Sequence, residues 1–419
     1  MVLVLIIGGG LGYFVLRAKT QREAVLAIER AGGQVWYRWP EFAESFPLIG
    51  FKTPPWPVRW LSRHLGPDYF DSVIRVYLGE GAGDAEMAHV ARLSHLEVFY
   101  NNNSNVTDAG LLLLGDLPYL QFICVNINGS TTGTVTTLVP ATGPTAPPVP
   151  VPSPPRVTGA FLRGLSGLSQ LKRLQLEGIP IRDADLAGIG GLAQLEDLDL
   201  GDTGISDAAL VHLRGLVGLT SLTLQDNPRI TSAGLPNLGH LASLINIDLD
   251  RTRVRDLEPL AALVGCWNIK LAGTPITDAS LAPLGRITHL INLYLADTAI
   301  TGSGLAPLRD LTELRMINLE RTKIADAEVA TLLELPALGW LNLAETAVTD
   351  AGLDHLARSH RLQVLDLTGT AVTDAGIARL LGAVKLLGVN LEEERLTPGR
   401  RAAFLQVCPT LRFNEYSAR

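Results

Sequence analysis

The sequence predicts an α/β solenoid, and three observations carry that prediction. A pattern of the form LxxLxL returns at a nearly constant interval. Each interval holds one strand-like and one helix-like segment. Neither segment can bury its apolar side alone. The pattern starts at Leu171, Leu195, Leu219, Leu244, Cys266, Leu290, Leu314, Leu338, Leu362 and Leu386, in steps of 24, 24, 25, 22, 24, 24, 24, 24 and 24 residues. Val73, Leu96 and Leu120 continue it upstream. Self-similarity at a period of 20 to 50 residues is the mark of a repeat architecture.

The interval from Leu195 shows why each element forms. Leu198 and Leu200 alternate with Asp197, Asp199 and Gly201, the period of a strand with one buried face. Asp207 precedes a helical run and is expected to cap its first turn. Leu210, Leu213 and Leu216 recur at helical spacing and face the core. Stacked copies then give a parallel inner sheet with helices outside. Eight places after each repeat-leading residue stands Thr203, Asn227, Thr252, Thr274, Thr298, Thr322, Thr346 or Thr370. The chain turns there, so the column is assigned to the fold, its hydroxyls supplying backbone groups of the neighbouring coil with partners.

Composition agrees. A chain of 419 residues exceeds one ordinary core, and 47% hydrophobic with 18% charged residues excludes a disordered chain. The net charge of −7, with no cluster of Lys and Arg in the repeats, argues against a nucleic-acid partner. Cys124, Cys266 and Cys408 lie far apart and read as small packing residues rather than a disulfide framework.

The repeats resemble the leucine-rich-repeat family. The phrases Thr346-Ala-Val-Thr-Asp-Ala-Gly-Leu353 and Thr370-Ala-Val-Thr-Asp-Ala-Gly-Ile377 are similar to those of bacterial repeat proteins that often carry an N-terminal anchor. The resemblance covers roughly residues 68–413. It implies a leucine-rich-repeat horseshoe and protein–protein interaction as the default function. It names no partner, because the fold hosts many.

The organisation expected is a membrane anchor at 1–17, an N-terminal cap at 18–67, repeats at 68–396 and a C-terminal cap at 397–419. Val2 to Leu16 carries no charge and is followed by Arg17, Lys19 and Arg22. A dinucleotide-binding start is rejected, because the place of the third glycine holds Tyr13 or Val15. A cleaved signal peptide lacks a basic start and a small-x-small site. The anchor reading remains, although fifteen residues reach only ~22 Å of a ~30 Å hydrocarbon core. Part of the anchor is expected upstream of Met1, and the basic residues after it place the repeats in the cytoplasm.

In the cap, Gln21 to Ala31 reads as a helix and Gln34 to Trp39 as a strand. Trp36, Trp39, Trp56 and Trp60 read as its core. A helix is expected from Thr397-Pro398 to Cys408, with Leu411 and Phe413 closing the array. Between Leu120 and Leu171 the step is 51 residues, so about 27 residues, near 129–156, are extra to the period. That Pro- and Thr-rich stretch reads as a surface insertion rather than a docking segment or spacer.

No catalytic motif is present: neither HExxH, GxSxG nor GxxxxGK[ST] occurs, and the eight histidines show no metal-ligand pairing. No enzyme, cofactor or metal is expected. Binding is expected on the concave sheet face of a monomer. Tyr294, Met316, Trp340 and Val364 form an apolar patch with the chemistry of interface hot spots. Asp197, Asp199, Asp202, Asp226, Asp248 and Asp250 form an acidic patch, read either as a solvated face or as an attractor of a basic partner. A calcium site there lacks a ligand cage. The function expected is a membrane-tethered protein-binding scaffold. A substrate adaptor, like the repeat subunits of ubiquitin ligases or secreted effectors, would need a helical recruitment domain before the repeats. A structural envelope protein would need only an undecorated face.

Overall fold

The computed structural model describes residues 2–38, 66–69, 71–102, 104–126, 137–138, 150–151, 156–382, 386–391 and 397–407. The chain divides into two units, Met1–Thr203 and Gly204–Arg419.

In the first unit one helix runs from Val2 to Arg30, across the boundary expected at residue 17. Its second half is docked: Ala18, Gln21, Ala24, Val25 and Ile28 are buried. Gln21 Nε2 donates to the Asp71 carbonyl at 3.0 Å. The expected membrane span is not found, since among the described residues no helix is long and apolar enough to cross a membrane. The physical reason is composition. Arg17, Lys19, Arg22 and Glu23 follow the fifteen apolar residues at once, and beyond them the helix continues with a buried face.

Gln34–Tyr37 then pairs antiparallel with Val73–Leu78. The Arg75 guanidinium lies 5.9 Å above the half-buried Trp36 ring. Trp39, Trp56 and Trp60 lie outside the described residues. From Val73–Leu78 onward every pairing in the sheet is parallel: with Val98–Asn102, then Phe122–Asn126, Arg173–Gln175 and Asp197–Asp199. The coils before and after the extra residues are therefore direct neighbours. Asp108 confirms this, accepting from the Thr158 hydroxyl at 2.8 Å. Of the insertion itself, only the pair Thr137–Leu138 and Pro150–Val151 is described, antiparallel.

The second unit stacks eight parallel strands in register, from Ser221–Thr223 to Gly388–Asn390. Their central residues, Leu222, Ile247, Ile269, Leu293, Ile317, Leu341, Leu365 and Val389, are all buried. Cys266 fills a leucine place, and burial pushes its thiol up to about 11, which suits packing and not nucleophilic chemistry. Cys124 is likewise pushed up to about 11 by burial. Cys408, Leu411 and Phe413 lie outside the described residues, and the last helix is Pro398–Val407.

The outer segments are of two helix types. Asp326–Leu332 and Asp350–Leu356 are α-helices, but Gly159–Gly167, Asp278–Arg286 and Gly302–Leu308 are 3₁₀ helices. Pro283 and Pro307, which donate no backbone hydrogen bond, sit inside two of them.

Two expectations about individual residues are corrected. The threonine hydroxyls turn back instead of reaching the neighbouring coil. Thr252 donates to the Leu249 carbonyl at 2.7 Å, and Thr298 to Leu295 at 2.6 Å, each three residues back in its own coil. Asn227, in the same column, does accept from the previous coil, from Ile205 N–H at 3.2 Å, because its side chain is longer and carries an acceptor besides its donors.

The aspartates do the reverse. Asp207 does not cap its own helix; Ser206 does, accepting from Ala208 N–H. Asp207 instead accepts from Thr231 N–H at 2.7 Å and from the Thr231 hydroxyl at 2.6 Å, one coil further on. Asp84, Asp278, Asp326 and Asp350 do the same to Thr107, Thr301, Thr349 and Thr373. Thr107, Thr301, Thr349 and Thr373 are N-caps, where the helix itself leaves backbone donors without partners. Burial pushes the Asp278 carboxyl up, but hydrogen bonds from Ser303 and Thr301 outweigh it and hold it below its ordinary range.

Candidate partner-binding face

Three columns of side chains stand on the exposed sheet face of the second unit. The first column holds the residue just before each strand: Ile245, Trp267, Ile291, Arg315, Gly339 and Gln363. It is held by ladder bonds, Trp267 N–H to the Ile245 carbonyl at 2.8 Å and Ile291 N–H to that of Trp267 at 2.9 Å. The second column holds the first residue of each strand, with Asn292, Met316, Trp340 and Val364 in register. The third holds the last residue, including Asp248, Lys270 and Tyr294.

The structure brings Met316, Trp340 and Val364 side by side. It puts Tyr294 in the third column, paired with Asn318. Met316, Trp340 and Val364 line a hollow of about 520 Å³ together with Ile291, Arg315 and Gly339. Gly339 is the reason for the hollow. It stands in a column whose other members carry bulk, and a Cβ added there would meet no atom closer than 3.9 Å.

Sequence reasoning missed Trp267, which is 48% exposed and flanked by Ile245 and Ile291. The signal was present one place after each repeat-leading residue. It was overlooked because a strict strand alternation assigns that place no face. The first unit also carries aromatic rings on its sheet. Tyr77 and Tyr100 lie 6.3 Å apart, and Tyr100 meets Phe122 edge-on at 5.0 Å.

The acidic residues are largely consumed by the fold. In the first unit Asp199 accepts from Gly201 N–H at 2.9 Å. Asp197 is raised by burial against the opposing pull of Arg173. In the second unit Asp248 accepts from Asp250 N–H at 3.0 Å and pairs with Lys270 at 2.9 Å. The same turn recurs where Asn318 and Asn342 accept from Glu320 and Ala344. Asp202 and Asp226 belong to a further column, seven places after each repeat-leading residue, that takes the left-handed conformation: φ is 52° at Asp202, 57° at Asp226, 54° at Arg251 and 53° at Arg321. Gly178, Gly273 and Gly369 occupy the same place, where glycine adopts that geometry without steric cost. Arg251 pairs with Asp226 at 2.5 Å, and Arg321 pairs with Glu345 at 2.7 Å.

Asp250 has a testable titration. Burial first, then the neighbouring Asp248, push its carboxyl up to about 6 from the ordinary 3.8, against the Ala272 N–H that it accepts at 2.6 Å. A raised carboxyl binds its proton more tightly folded than unfolded. Stability therefore falls as pH rises from the unfolded value through about 6 and is level above it. Asp250→Asn keeps the acceptor and removes the charge. It is expected to raise the melting temperature at neutral pH and leave it unchanged at pH ~4. Equal shifts at both pH values would sink this assignment.

Among the described residues no group of three or more His, Cys, Asp or Glu is placed to hold a metal ion. No family model matches the sequence, and no curated protein does. Solved structures do match. An internalin (inlF) from Listeria monocytogenes superposes with a TM-score of 0.58 at 20% identity, over 86% of this chain and 94% of that one. The leucine-rich-repeat ectodomain of a membrane receptor kinase from Arabidopsis thaliana gives 0.46 at 16% identity, over 78% of this chain and 39% of that one. The 24-residue strand-turn-helix coils, their parallel pairing and the internalin superposition make this chain a leucine-rich-repeat protein in its fold.

Proposed function

We propose that the chain is a non-catalytic protein-binding scaffold that receives its partner on the exposed sheet face of the second unit. One observation carries this: large apolar side chains stand on the same sheet face, Trp267 between Ile245 and Ile291 and, three strands on, Trp340 between Met316 and Val364. Aromatic anchors set in a packed, polar-rimmed surface are where interface energy concentrates. No membrane crossing enters the proposal, because no described helix suits one.

The test is affinity capture from native membrane and soluble fractions, with wild type, Trp267→Ala and Trp340→Ala as parallel baits. A shared partner is expected to be lost, or weakened about 30-fold, from both variants while their melting temperatures stay near wild type. Recovery of the same proteins by all three baits would remove this face as the binding site. A collapse of thermal stability in Trp340→Ala would make that residue structural.

A further inference from the structure

We propose that the hollow at Gly339 accepts an apolar side chain from a partner segment whose adjacent residues are acidic. This deepens the scaffold reading above and rests on it. Three observations converge. The first is shape: Gly339 leaves about 520 Å³ between Arg315 and Gln363, within the range of a pocket built for a side chain or small ligand. The second is its apolar floor, made of Met316, Trp340 and Val364.

The third is charge. Arg315 and Arg361 both line the hollow, and Arg358 joins Arg361 on the neighbouring depression. All three are exposed, and among the described residues none has a carboxylate partner. Nearby arginines are paired otherwise: Arg309 with Glu334, Arg321 with Glu345, Arg379 with Asp354. In a chain of net charge −7, two uncompensated guanidinium groups lining the hollow, with a third on the depression beside it, point to an anionic occupant. Guanidinium groups engage carboxylates through two parallel hydrogen bonds. An apolar residue seated between Asp or Glu residues meets both demands.

The hollow can be closed without disturbing the fold. Gly339 lies outside the left-handed region, and a Cβ there meets only the Arg361 carbonyl at 3.9 Å and that of Ala337 at 4.0 Å. Gly339→Leu is therefore a filling variant, and Arg315→Glu with Arg361→Glu a charge-reversing one. The probes are three fluorescein-labelled peptides read by anisotropy against the full chain: Glu-Asp-Phe-Asp-Glu, Lys-Lys-Phe-Lys-Lys and Glu-Asp-Gly-Asp-Glu. The first is expected to bind at least about tenfold tighter than either other. Both variants should lose about tenfold or more of that affinity. Binding should also weaken between about 0.05 and about 0.3 M salt.

Equal binding of the acidic and basic peptides, or binding of none, would overturn the proposal. So would wild-type affinity in Gly339→Leu. The captured partner separates this from the broader reading. A partner lost from Trp340→Ala but kept by Gly339→Leu and by the charge reversal sinks the hollow and leaves the face. A partner kept by every variant sinks both.

Discussion

Gly352→Ala is expected to destabilise the protein, although alanine is ordinarily worth about 1 kcal/mol more than glycine within a helix. The glycine sits in the first turn of Asp350–Leu356, and a Cβ there would stand 2.6 Å from Asp326 Oδ1. That carboxylate must come close, because it accepts from Gly352 N–H at 2.9 Å as well as from Thr349. Overpacking of this kind costs about 1–3 kcal/mol. Asp326→Ala should cost on the order of 3 kcal/mol, since it strands the Thr349 and Gly352 donors of a charge-assisted cluster.

The double variant decides the mechanism. With the carboxylate gone, the methyl group introduced by Gly352→Ala loses its closest clash and meets next only Val348 Cγ1 at 3.0 Å, so that substitution should become much less costly. Urea denaturation of the four proteins should yield a coupling of about 1 kcal/mol or more. Strict additivity would show that the glycine serves some other end.

The chain already contains the exchanged solution. Gly159 and Gly302 stand where the bridging aspartate would be, and one coil on, the place of Gly352 is taken by Asp185 and Glu328. A Cβ on Gly302 would run into the Glu328 side chain. Glu328 accepts from Ala325 N–H at 2.9 Å, the donor that a previous-coil aspartate satisfies elsewhere. Asp185 accepts from Arg182 N–H at 3.4 Å. In these coils the orphan N–H is satisfied from within, where the Asp326–Gly352 pair satisfies it from behind.

Phe161→Ala is expected to cost about 3–5 kcal/mol, the range for deleting a fully buried aromatic ring. Phe161 is wholly buried in the first coil after the insertion, and its N–H reaches Asp108 at 3.3 Å. That coil meets its predecessor only after a long excursion of the chain, so packing rather than connectivity holds the two together. Hydrogen exchange should show faster opening on both sides of the insertion, as nearest-neighbour coupling in a repeat array requires. Val217→Ala, at a position 55% exposed, serves as the control and should stay within ~0.5 kcal/mol. A small loss for Phe161→Ala would mean that this junction contributes little.

Much of this architecture was legible in the residues themselves. A 24-residue step sets the register, because successive LxxLxL segments can only bury their leucines by stacking in parallel. The buried column from Leu222 to Val389 follows from that step alone. So does the stacking of Phe122–Asn126 directly on Arg173–Gln175, since extra residues that break the period have no place inside the coil. Met316, Trp340 and Val364 were legible as neighbours for the same reason.

What the step leaves open is where a side chain's far end goes, and the tertiary structure decided that. The turn-column threonine hydroxyls turn back to their own coil, while the bridging aspartates, one bond longer, reach the next. Period alone does not separate these. Nor does it distinguish an acidic residue held in a turn, like Asp248, from one offered to a partner. The hollow at Gly339 exists because an absent side chain leaves space between two coils, and Trp267 is exposed because its place precedes the strand. The repeat period determined which residues are neighbours; contacts between coils determined which of them are occupied by the fold and which remain exposed.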